Sequence, residues 1–172
     1  TQREVFVSTA NCFVPVLGNF DAALGLIQRW KGTLDKFRTS AKPTVAALVG
    51  RVLGGGNEFA STCQARVAAK GTVIGQPEPT VGVLAGLGGC HHLHRASKPE
   101  AWPAISEKLL TGHSFTADDA LAWGYVSQVV PVAELPRASM AFAAALASGE
   151  RAKPEFRMGP AQVPVARDVD PR

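Results

Sequence analysis

Between Lys42 and Arg95, apolar runs short enough for strands alternate with glycine-rich turns, and the turns deliver two glutamates. The run Thr44 to Val49 ends at Gly50, Gly54-Gly55-Gly56-Asn57 leads into Glu58, and Gly75-Gln76-Pro77 leads into Glu78. This alternation argues for strands and helices in succession, because each apolar run is too short for a helix and each glycine cluster breaks the chain. Both acids sit in turns that rigid elements would hold in place, where chemistry is usually sited.

Along the chain, Val5-Phe6-Val7 reads as a short strand, and Asn11 to Asn19 as a loop interrupted by Pro15 and Gly18. From Asp21 to Arg38, Ala23, Ile27, Trp30, Leu34 and Phe37 recur every three or four residues, which predicts an amphipathic helix with one buried stripe. The continuous run Thr44 to Val49 reads as a strand buried on both faces. Asn57 is a candidate N-cap for a short helix over 58–64 with Glu58 in its first turn, and 65–69 returns as a strand. Thr116-Ala-Asp-Asp119 resembles a capping box, Gly124 a helix stop and 126–130 a strand closed by Pro131. A helix is predicted over 135–147. The expected class is α/β, with a core over 1–148 and a proline- and charge-rich tail over 149–172 that shows no periodicity.

The 172 residues, 46% hydrophobic and 19% charged, fit one globular domain. No apolar run reaches the roughly 20 residues of a spanning helix, and the N-terminus lacks a signal-peptide layout. Three widely spaced cysteines, Cys12, Cys63 and Cys90, argue against a disulfide framework and for a reducing cytoplasm. The net charge of +4 comes from scattered residues, so nucleic-acid binding is disfavoured, while a small phosphate-bearing anion is compatible.

Neither glycine cluster is followed by Lys-Ser/Thr, which excludes a Walker loop. Gly82-x-x-x-Gly86-x-Gly88 has the spacing of a short-chain dehydrogenase turn, but Tyr125 has no lysine four residues on. An oxyanion site fits better. A backbone N–H in a glycine turn opening a helix faces outward with the positive helix end behind it. Gly55 is placed for that, and Glu58, one turn on, could handle a proton beside the polarised carbonyl. On periodicity alone, Glu58 is a solvated first-turn glutamate and Glu78 an ordinary loop acid. His91, His92 and His94 lack the spacing of a metal site and read as residues of the helix after the second glycine turn; Trp102 and Trp123 read as packing residues.

Taken together, Leu53-Gly-Gly-Gly-Asn-Glu58, Gly75-Gln-Pro-Glu78, Gly82 and Ala85-Gly-Leu-Gly-Gly89 resemble the signature of the crotonase superfamily, the enoyl-CoA hydratase/isomerase group. Lys42 to Ala47 and Leu110 to Ser127 extend the resemblance over about half the chain.

The resemblance implies a superhelix of ββα units, assembled as a homotrimer or hexamer, that binds an acyl-CoA thioester. No separate cofactor is implied, since coenzyme A is part of the substrate, and no metal, nucleic acid or membrane. It places Glu58 and Glu78 as the hydratase acids around one water, Gly55 as one oxyanion donor, and Gly54, Pro77 and Gly86 against substrate. The second donor falls in Cys12-Phe-Val-Pro-Val-Leu-Gly-Asn19, at Val14 or Pro15; because proline has no N–H, the expectation rests on Val14. Where the family usually carries aspartate after Cys63, this chain has Gln64. The implied activity is hydration of a 2-enoyl-CoA, with isomerisation or a silent acyl-CoA-binding module as alternatives.

Overall fold

The structure, a computed structural model, describes residues 18–157. The strand expected at Val5-Phe6-Val7 and the donor position at Val14 and Pro15 lie outside them.

Helix α1 spans Phe20–Arg38, started by Asn19, whose side chain accepts the Ala22 N–H. Its apolar stripe is only partly covered: Leu34 is buried, whereas Phe37 is exposed and packs edge-on to Phe59 at 5.1 Å. Two strand–strand–helix units follow. Strands β1 (Val45–Leu48) and β2 (Arg51–Leu53) lead into α2 (Gly55–Thr62); β3 (Ala65–Ala69) and β4 (Val73–Gly75) lead, through a 3-10 turn over Glu78–Val81, into α3 (Gly89–Arg95). The chain continues as α4 (Trp102–Thr111), β5 (Phe115–Thr116), α5 (Ala117–Ala122), β6 (Gln128–Val130) and α6 (Leu135–Ser148).

Two three-stranded sheets result. One has the order β1-β3-β6 with parallel pairing; in the other, β2 pairs parallel to β4, and β4 antiparallel to β5. The parallel β1–β3 and β2–β4 pairs follow from the ββα connection, because each helix carries the chain back to start the next unit in the same direction.

Among the described strands, β3 is the one buried on both faces. Ala65, Val67 and Ala69 point to a cluster with Leu135, Phe142 and Leu146 of α6, while Ala68 faces the main core of Ile74, Leu93, Ile105, Phe115, Tyr125 and Val126. The two-sided burial expected for Thr44 to Val49 is therefore corrected. Among the described residues β1 pairs only with β3, and of its residues only Leu48 is buried.

The α2 start also differs from expectation. Gly54, not Asn57, is the N-cap, because its φ of 54° and ψ of −127° turn the chain three residues earlier. Asn57 is buried instead, its Oδ1 accepting the Tyr125 hydroxyl at 2.7 Å. The capping box is present as read: the Thr116 side chain accepts from Asp119 N, and the Asp119 carboxylate accepts from Thr116 N. After α6, the segment returns to the core, where Phe156 packs and Arg157 N donates to Arg95 O at 2.9 Å.

Candidate active site

Four chain segments meet at Glu58. Gly54 donates its N–H to Gly75 O at 3.0 Å and accepts the Glu58 N–H at 2.9 Å, tying the ends of β2 and β4 to the first turn of α2. Glu58 is 3% exposed, so the solvated-glutamate expectation fails. Its Oε1 accepts the Leu87 N–H at 2.7 Å and the Gly89 N–H at 2.9 Å, both from the glycine turn that opens α3. Burial raises the Glu58 pKa above its ordinary 4.5, and the Gly89 and Leu87 N–H groups oppose that rise by stabilising the carboxylate.

Glu78 begins the 3-10 turn capped by Pro77. Its Oε1 lies 3.0 Å from where a Cβ on Gly54 would stand, so a side chain at 54 would push the carboxyl aside by a few tenths of an ångström. Its Oε2 is buried without a hydrogen-bond partner among the described residues. Burial first, and then the charge of Glu58, push its pKa up, opposed by its own backbone N–H. The structure therefore brings the two acids together with unlike surroundings: Glu58 is held by two N–H donors, while Glu78 has an oxygen that a proton would satisfy.

Gly55 is the first residue of α2, where N–H groups have no intrahelical acceptor. Gly54 touches Glu78, Pro77 caps its turn, and Gly86 is exposed with open space at its Cα. A separate apolar cleft of about 490 Å³ runs between α1, β1 and α2, lined by Phe37, Val45, Phe59 and Gly56 among others; neither acid lines it.

Sequence reasoning missed three supporting side chains. The Ser61 hydroxyl donates to Glu58 O at 2.7 Å and meets His92 Nδ1 at 2.8 Å. His92 lies against Gly88, in space that a Cβ there would fill, and Gln76 does the same at Gly89. The glycines were visible as turn formers, but nothing in the sequence said which side chain each makes room for. His94 Nε2 meets Ser106 Oγ at 3.0 Å, so His92 and His94 have separate packing partners. Trp102 donates its indole N–H to His94 O at 2.9 Å, and Trp123 packs on Phe115 at 4.9 Å.

Comparison with known proteins places this geometry. Residues 25–159 match the profile of the family described as enoyl-CoA hydratase/isomerase. A probable mitochondrial enoyl-CoA hydratase of Dictyostelium discoideum is 43% identical over 111 residues, covering 64% of this chain and 37% of that protein. A glyoxysomal fatty acid β-oxidation multifunctional protein of Brassica napus is 38% identical over 120 residues, 70% of this chain and 16% of that one. The crystal structure of an enoyl-CoA hydratase from Bacillus anthracis superposes with a TM-score of 0.69 at 29% identity, covering 77% of this chain and 51% of that one. The chain thus spans about half, or less, of the proteins it matches. The chain, an α/β protein of the crotonase fold, belongs to the enoyl-CoA hydratase/isomerase family.

Proposed function

We propose that this chain adds water across the 2,3 double bond of an enoyl-CoA thioester, with Glu58 and Glu78 as the catalytic acids. The observation that carries the reading is the pairing itself: a buried and a half-buried carboxyl, close enough that the charge of Glu58 raises the Glu78 pKa, the first gripped by two N–H donors and the second with one oxygen unmatched among the described residues. Glu58, gripped by two N–H groups, is the ionised partner and takes a proton from the water as its oxygen bonds to C3. Glu78, with its orphaned oxygen, is the protonated partner and gives its proton to C2. The electrons of the broken π bond pass through the thioester oxygen as an enolate, which the Gly55 N–H would stabilise, with Val14 as the expected second donor. Coenzyme A enters as part of the substrate.

A double-bond isomerase needs only one acid, and the presence of both beside one turn favours hydration over that alternative and over a silent acyl-CoA-binding module. The same reading extends to a homotrimer or hexamer and to a cytoplasmic setting; among the described residues no helix is long and apolar enough to cross a membrane.

The test is hydration of crotonyl-CoA, followed by loss of enoyl absorbance, in wild type, Glu58→Gln and Glu78→Gln. Loss of about 10²–10⁴-fold in both variants is expected. Loss in Glu78→Gln alone would point to isomerisation, and wild type that binds acyl-CoA without turnover to a silent module.

A further inference from the structure

Gln76 sits between Gly75, which ends β4, and Pro77, which caps the turn carrying Glu78. It is 2% exposed, yet neither Oε1 nor Nε2 has a hydrogen-bond partner among the described residues. A buried amide with donor and acceptor both unmatched is destabilising, and no hydrogen bond among the described residues accounts for this side chain. Contact does. The amide nitrogen occupies the place where a Cβ on Gly89 would stand, and the Ala85 Cβ lies 2.6 Å from that same point. Gly89 is one of the two residues whose N–H groups hold Glu58 Oε1. The side chain thus fills the space between the end of β4 and the glycine turn that grips Glu58.

We propose that Gln76 is a positioning residue for Glu58: pressed on Gly89 and Ala85, it fixes the turn and with it the distances of the Leu87 and Gly89 N–H groups from the carboxylate. The catalytic consequence rests on the hydratase reading above. What the site uses is the volume of this side chain and not its polarity, so an apolar side chain of similar length should serve and a short one should not.

The experiment compares wild type, Gln76→Ala and Gln76→Met in the full chain by three readouts: carboxyl-carbon NMR titration of Glu58, kcat and KM for crotonyl-CoA, and thermal melting. In Gln76→Ala, the Glu58 midpoint should rise by about one unit as its N–H grip loosens, and kcat should fall roughly ten- to a hundred-fold with KM little changed. Gln76→Met should restore both to near wild type and melt no lower than wild type. A Glu58 titration unchanged in Gln76→Ala overturns the proposal, as does a folded Gln76→Met that keeps the alanine defect. Should Gln76→Ala fail to fold, the methionine variant decides alone: an undisturbed Glu58 titration supports the proposal, and a displaced one overturns it. If wild type shows no turnover, the hydratase reading falls while the titration still judges the role of Gln76.

Discussion

The Ser61 hydroxyl donates a hydrogen bond to the carbonyl oxygen of Glu58 and so accepts one from His92 Nδ1, which makes His92 the neutral tautomer protonated on Nδ1. Burial, foremost, with the charges of His91, Arg38 and Arg95, lowers the His92 pKa to about 4, against a weaker upward pull from Asp35. A folded-state pKa below the unfolded one means the native state binds fewer protons between the two values. Stability from this group is therefore full above pH 6.5 and is lost as pH falls toward 4. The shift corresponds to ~3 kcal/mol. Urea unfolding across that window should show a steep loss of stability in wild type and a shallower one in His92→Gln.

The raised pKa values of the two glutamates set the opposite slope. Each contributes stability that is present below its ordinary value of 4.5 and lost as pH rises through its raised folded-state value. Glu58→Gln keeps an oxygen for the Leu87 and Gly89 N–H groups without the buried charge. It should melt at or above wild type at neutral pH while losing turnover, and a melting temperature clearly below wild type would contradict this.

Activity should follow a bell in pH. Glu58 must be ionised, so kcat/KM falls as pH drops through its raised pKa; Glu78 must hold a proton, so the rate falls as pH rises through its own. A pH–rate profile for crotonyl-CoA checks both limbs, and Glu78→Gln should lower turnover across the whole profile and not merely move the alkaline limb.

Gly54 combines a left-handed φ of 54° with a Cβ position 3.0 Å from Glu78 Oε1. Gly54→Ala should cost about 1–3 kcal/mol in backbone strain and also displace the Glu78 carboxyl. Thermal melting reads the first effect. A fall in kcat larger than the unfolded fraction explains reads the second.

Tyr125 is fully buried, and its hydroxyl is the partner of Asn57 Oδ1. Tyr125→Phe should leave that oxygen unmatched and destabilise the fold by about 1–3 kcal/mol, measurable as a shift in the urea midpoint.

The elements were legible where period and punctuation agreed. The Thr116–Asp119 box and Gly124 after α5 are local signals, and both came out as read, whereas Asn19, the cap of α1, reads in sequence only as the end of a loop. Two misreadings involved contacts distant in sequence. Asn57 looked like a cap until Tyr125, 68 residues on, took its amide into the core. Val45–Leu48 looked doubly buried because composition cannot tell a central strand from one with a single described neighbour. For the candidate site, turn chemistry drew attention to the two acids, but only the family resemblance named them and Gly54 as site residues. The grip on Glu58 was not, because it comes from N–H groups of Leu87 and Gly89, which every residue but proline possesses. Ser61 gave no sequence signal beyond being polar, and Gln76 and His92 read only as parts of a turn and of a helix.

Arg66, on the central strand, donates to Cys63 O at 2.9 Å and to Tyr125 O at 2.6 Å while its guanidinium stacks 4.6 Å from the Tyr125 ring. Together with the Tyr125 hydroxyl on Asn57, this clamps both ends of α2 to a segment some sixty residues away in the chain. The helix bearing Glu58 therefore cannot fray by itself. Its amides should exchange with solvent only when α5 and β6 come loose as well, so this wall of the pocket opens with the whole core or not at all.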